Sequence, residues 1–140
     1  MARLKTIGER LRGERGLMSK ITILWFVLLA LFVVAAWDTG SILLTRYKVS
    51  SAADAAALEA ATEYKRSNDV AAAKQAAIDQ LKQQMPGAKL TRDGFKLDTT
   101  TGNVSVTVTK RASTLVAGRI SFLEHYTKAV ATGAASPPML

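Results

Sequence analysis

With 140 residues, 49% apolar but only 6% aromatic, the chain has room for one ordinary domain, or for a small domain and an anchor, and not for a large aromatic core. It has no cysteine and a single histidine, His125, which excludes disulfides, cysteine-ligated metals and any multi-histidine metal site within one copy. A net charge of +8 raises nucleic acid as a partner, but the basic residues do not cluster with aromatics and no groove-reading motif occurs, so no nucleic acid is expected.

The chain opens with a basic segment, residues 1–20, in which Arg3, Lys5, Arg10, Arg12, Arg15 and Lys20 outweigh Glu9 and Glu14. Next comes Ile21 to Trp37, "ITILWFVLLALFVVAAW", without a formal charge. At about 1.5 Å per residue this run covers roughly 26 Å of helix, slightly less than a hydrocarbon core of about 30 Å. Continuing through "DTGSILL" to Leu44 makes a transmembrane helix over 21–44. The cations before it predict a cytoplasmic N-terminus and an extracytoplasmic remainder. A cleaved secretory signal is the rival, but its apolar region runs about 7–15 residues and closes on an A-x-A-like site. This run is longer and ends "VVAAWD", so a retained anchor is expected.

Helix propensity stays high past Leu44. "SSAADAAALEAATEY" is alanine-rich, with no proline or glycine. One nearly continuous helix is expected from about Leu17 to Tyr64, with a bend at Asp38-Thr39-Gly40, where propensity is poor. "RSND" at 66–69 breaks it and offers Ser67 or Asn68 as a fresh cap. A second helix to about Gln84 then places Val70, Ala73, Ala77, Leu81 and Met85 on one face, and Pro86-Gly87 ends it.

The rest reads as strands. Asp93-Gly94 suits a two-residue hairpin turn. "TGN" at 101–103 is a turn, and Val104, Val106 and Val108 alternate with Ser105, Thr107 and Thr109. "STLVAGRISFLEH" fits a short helix or a loop. "YTKAVATGA" supplies a last strand, and 136–140 a flexible tail. The fold class is therefore α+β: a long N-terminal transmembrane helix continuing into an alanine-rich helix, a second short helix and a small antiparallel sheet. The extracytoplasmic domain is placed at 45–135.

Asp38 stands in D-T-G, the tripeptide that carries the catalytic carboxylate of aspartic proteases, and "LVAGR" at 115–119 is faintly similar to a second motif of those enzymes. That chemistry needs two carboxylates about 3 Å apart sharing a proton on β-rich loops, whereas helix formers flank Asp38 on both sides. Asp38 thus reads either as a solvated carboxylate at the membrane edge or as a partner for a cation on another subunit. Ala36 and Gly40, four residues apart, would let another helix approach closely. Asp54, Glu59 and Glu63 read as solvated helix charges near Lys65 and Arg66, and His125 as structural or exposed. The alanine face of 52–61 either packs on the chain's own sheet or lines a helix–helix contact in an assembly.

"WDTGSILLTRYKVSSAADAAALEAA" resembles the N-terminal segment of TadE/TadG-like proteins of the Flp, or tight-adherence, pilus system: an apolar helix, D-x-G, an arginine several residues on, then A-A-D-A-A-A-L. Asp38, Gly40, Arg46 and Ala52-Ala53-Asp54-Ala55-Ala56-Ala57-Leu58 fill those places. The later stretch "VSVTVTKRASTLVAGRISFLEHYTKAVATGAA" is loosely similar to the family's strand, turn and closing strand. The resemblance implies a pilin-like, non-enzymatic inner-membrane protein that helps to assemble or secrete a pilus, without a cofactor. Its implied partners are other pilus-assembly or pilin subunits, met through the N-terminal helix in a homo- or hetero-oligomer. Asp38, Ala36, Gly40, Arg46, Ala53, Asp54, Ala57 and Leu58 become the candidate interaction residues. Pilin-like processing places glutamate five residues after the cut glycine; here Ile21 is fifth after Gly16, and the D-x-S-x-S metal motif of longer relatives does not occur.

Overall fold

A computed structural model describes the backbone of residues 3–139 and the side chains of residues 18–139. The side chains of the basic segment before residue 18, and Leu140 of the tail, lie outside the described residues. The elements in order are helix α1 (Arg3–Ser67), α2 (Val70–Gln84), strands β1 (Lys89–Leu97) and β2 (Val104–Arg111), a 3-10 turn (Ala117–Arg119), α3 (Ser121–Thr127) and β3 (Lys128–Ala135). The class is α+β, as read from the sequence. Two compact units divide the chain, Met1–Trp37 and Asp38–Leu140.

In the first unit none of residues 18–37 is buried, and Trp25, Phe26, Leu31 and Phe32 are largely exposed. A helix on a soluble core buries one apolar stripe and shows a polar one. This helix does neither. It is apolar all round and long enough to cross a membrane, and it fits a single-pass membrane protein.

In the second unit Asp38-Thr39-Gly40 are helical and part of α1, which does not break there. From there the alanine-rich part acts as the floor of the domain. Ala52, Ala53, Ala56, Ala57, Ala60 and Ala61 recur at the three- and four-residue spacing of one helix face, and all six are buried. They meet Val104, Val106 and Val108 of β2 and Ala129 of β3 in one core. Burying such a valine stabilises by about 1.5–3 kcal/mol. Short side chains on the helix are what allow the sheet to come close. At Gly133 of β3 there is no room at all: an added Cβ would collide with the backbone of Ala53 and Asp54. The alanine face therefore packs on the chain's own sheet, which decides between the two expectations for it.

The sheet is antiparallel in the order β1-β2-β3. Val104 pairs with Ala135 at one end of the β2–β3 ladder and Arg111 with Lys128 at the other. On its outer face the Thr107 and Thr132 hydroxyls, directly opposite in register, hydrogen-bond at 2.9 Å. α2 closes the core with Ala73, Ala77 and Leu81, joined by Met85 at its C-terminal cap.

Three local expectations need correcting. The cap of α2 is Asp69, whose carboxylate accepts the Ala71 N–H at 2.8 Å; Asn68 takes a left-handed φ of 53° and is spent on the turn. Val70, at the first helical position, is exposed rather than on the buried face. Asp93-Gly94 is not a hairpin turn. β1 runs through it, with a bulge between Leu90 and Phe95 where Gly94 lies too close to Thr91 and the Thr107 carbonyl to carry a side chain. The true hairpin loop is 98–103, where the Asp98 N–H donates to the Asn103 carbonyl at 2.9 Å and the Gly102 N–H to the Asp98 carbonyl at 2.7 Å. "STLVAGRISFLEH" forms a loop, the 3-10 turn and the start of α3.

Candidate functional site: the Asp38 clamp

Asp38 is the first residue of the second unit and the next after Trp37 in the chain. A carboxylate in mid-helix can make no capping bond within its own helix. Its oxygens are turned to the segment between β2 and α3 instead. Oδ1 accepts the Leu115 N–H at 2.6 Å, and Oδ2 accepts those of Val116 at 3.0 Å and Ala117 at 2.8 Å. Only 6% of the residue is exposed.

The geometry follows from what the loop needs. The N–H groups at the start of a helical turn have no partner within it. Three such N–H groups in succession, leading into the 3-10 turn Ala117–Arg119, form a concave nest that suits an anion. Asp38 fills it with charge-assisted hydrogen bonds, the stronger class.

Around the nest the loop is braced by its own bonds. Thr114 Oγ1 accepts the Gly118 N–H at 2.9 Å, and the Arg119 N–H donates to the Val116 carbonyl at 2.9 Å. The Ser41 hydroxyl, on α1, donates to the Ser113 carbonyl. At the base of the loop the Ala112 N–H donates to the Thr127 carbonyl at 2.8 Å, and Arg111 pairs with Glu124. The partner for Asp38 sought in solvent or on another subunit is thus supplied by the same chain, 77 to 79 positions away. No sequence signal linked the two. By sequence "STLVAGRISFLEH" fits a short helix or a loop and "LVAGR" a faint protease-like motif, and backbone donors leave no mark in side-chain identity.

The other candidate residues divide by exposure. Ala53 and Ala57 are buried under the sheet, whereas Ala36, Gly40, Arg46, Asp54 and Leu58 are exposed. An added Cβ on Gly40 would meet nothing within 4 Å. Glu63 is half-buried and pairs with exposed Arg66 at 2.8 Å, an interaction of little energetic weight. His125 is exposed and meets Tyr126 edge-on, with ring centroids 6.1 Å apart. Among the described residues no group of three or more metal-ligating side chains comes together.

The stretch that holds the apolar helix, Asp38 and the alanine face is also the stretch that a family model recognises. Residues 16–63 match the TadE/G-like family, described as putative Flp pilus-assembly. The TadE/G-like match covers about a third of the chain and includes all eight candidate interaction residues, Ala36 through Leu58. It supports involvement in Flp pilus assembly. A second model, described as Spiralin domain, matches residues 45–123, just over half of the chain, so the chain belongs to that family over this stretch. That match stops inside α3, short of β3, and its description names no activity or partner. No curated protein and no solved structure shows a significant match to the chain.

Proposed function

We propose that this protein is a non-enzymatic, single-pass component of an Flp/Tad-type pilus assembly or secretion machine in the bacterial inner membrane. Residues 21–44 anchor it, the basic segment 1–20 stays in the cytoplasm, and the α+β domain works outside. The orientation rests on the cations that precede the apolar run. The observation that carries the reading is the overlap of the TadE/G-like match with α1 from the apolar run to the alanine face.

The contacts with other subunits fall to what the domain leaves uncovered. Ala53 and Ala57 are spent on the sheet, so their part is to build the domain. Gly40, Arg46, Asp54 and Leu58 remain free to face a neighbour, and Ala36 with Gly40 has the small-residue spacing that helix–helix approach uses. Asp38 serves such a contact by fixing the loop beside it. A protease reading has little support. It requires D-T-G on a loop opposite a second carboxylate, and here D-T-G is helical with both oxygens held by backbone N–H groups.

The test is genetic. Deleting the gene should abolish surface pili, and the wild-type gene should restore them. A Gly40→Leu variant that accumulates normally should restore them poorly. Full piliation without the gene would end the assembly role and leave a tethered envelope protein.

A further inference from the structure

Beyond the clamp, the segment from Leu115 to Tyr126 has an unusual surface. Leu115, Phe122 and Tyr126 are 55%, 72% and 57% exposed, and Val116 and Ile120 are also exposed. These five apolar side chains lie within twelve residues of one another in sequence. Phe122 and Tyr126, four apart on α3, share a face. On the same short helix Glu124 is turned to Arg111. Exposed apolar side chains gathered in so short a segment are what a contact surface offers.

Chain connectivity says what covers it. The Leu115, Val116 and Ala117 N–H groups bond the carboxylate of Asp38, so the loop backbone is held within one side chain's length of the residue that follows the apolar run. A hydrocarbon core of about 30 Å takes about 20 residues of helix. Counted from Ile21, that ends at Gly40, and the anchor's last residues to Leu44 add only about one further turn, so Asp38 lies near the outer edge of the span. The loop is therefore tied at the depth where acyl chains give way to headgroups. Tyrosine is enriched at that depth, its ring apolar and its hydroxyl wet. Arg119 and Lys128, both exposed, flank the apolar side chains with the charge that anionic headgroups attract.

We propose that the segment 115–126 rests in the lipid–water boundary of the membrane, with Leu115, Val116, Ile120, Phe122 and Tyr126 as its lipid-facing side chains. The inference depends on the single-pass reading of residues 21–44. The segment gives the protein a second membrane contact besides the span, and Asp38 is the strut that sets its depth. A short apolar element of this sort binds as an interfacial amphipathic segment does, through buried apolar area and basic flanks.

The chain lacks cysteine, so single-cysteine variants of the full-length protein report one site each. Leu29→Cys, Gln83→Cys, Leu115→Cys, Phe122→Cys and Tyr126→Cys would be spin-labelled and reconstituted in phosphatidylethanolamine–phosphatidylglycerol vesicles. Relaxation by oxygen, which concentrates in lipid, is compared with relaxation by a water-soluble nickel chelate. The segment labels should give an oxygen-to-nickel ratio several-fold above that of Gln83→Cys and approaching that of Leu29→Cys. If Leu29→Cys reads lipid and the segment reads water like Gln83→Cys, the interfacial inference fails and the span stands. If Leu29→Cys itself reads water, the span and the inference fall together. Labels shielded from both reagents would mean that protein, a second copy or another subunit, covers the segment, and would overturn the lipid assignment.

Discussion

Asp38 accepts the backbone N–H of Ala117 at 2.8 Å across 79 positions of sequence. The bond, with its partners at Leu115 and Val116, ties the segment between β2 and α3 to α1. Asp38→Ala removes the acceptor and leaves three N–H groups in a nest without their anion. Amide exchange at Leu115, Val116 and Ala117 should quicken about tenfold or more, since unpaired polar groups are costly, while α1 keeps its helical signal. Unchanged protection at those three amides would show that the clamp does not hold in solution.

Gly133 and Gly40 make opposite predictions from the same substitution class. A side chain at Gly133 strikes the backbone of Ala53 and Asp54, which cannot yield. Gly133→Val should destabilise the full-length protein in detergent by about 1–3 kcal/mol, the usual cost of overpacking. Gly40 faces open space in a helix. Gly40→Ala should stabilise by roughly 0.5–1 kcal/mol. Thermal unfolding of the two variants measures both signs, and equal effects would show that the helix does not lie against β3 at Gly133.

The alanine face explains why much of the fold could be read from the sequence. Strict alternation at Val104, Val106 and Val108 marks a strand with one buried face, and the alanine repeat marks a helix that something approaches closely. The small residues could not say what approaches, because a neighbouring helix and the chain's own sheet ask the same of them. Turn chemistry misled at Asp93-Gly94, where a pair suited to a hairpin serves a bulge, since a close backbone approach and a tight turn both select glycine. Half of the Asp38 site was legible, as an acid out of place after an apolar run. Its other half is three backbone N–H groups, which every sequence possesses.

Leu81 is the largest side chain that α2 contributes to the core and is 3% exposed. Leu81→Ala should cost about 2–5 kcal/mol, the range for a truncated core leucine. A denaturant midpoint indistinguishable from wild type would remove α2 from the core.

Asp98 shapes the β1–β2 loop. Its carboxylate accepts the Thr101 hydroxyl at 2.8 Å and the Thr100 N–H at 2.9 Å. The Thr101 hydroxyl first, and the Thr100 N–H second, hold its pKa below the ordinary value. A carboxyl depressed on folding contributes stability that is complete above its unfolded pKa of about 3.9 and is lost as pH falls through the lower folded value. Asp98→Asn should therefore be less stable than wild type at neutral pH, with the gap closing as the solution is acidified below about pH 4. A gap that widens in acid would contradict the sign.

The central claim is that one helix crosses the membrane and leaves the α+β domain outside. Single-cysteine variants again give the most direct reading. Lys5→Cys lies in the basic segment and Gln83→Cys on the exposed side of α2. In intact spheroplasts a membrane-impermeant maleimide should label Gln83→Cys fully and Lys5→Cys only after lysis. Labelling of Lys5→Cys in intact spheroplasts, with Gln83→Cys protected until lysis, would reverse the topology and contradict the account.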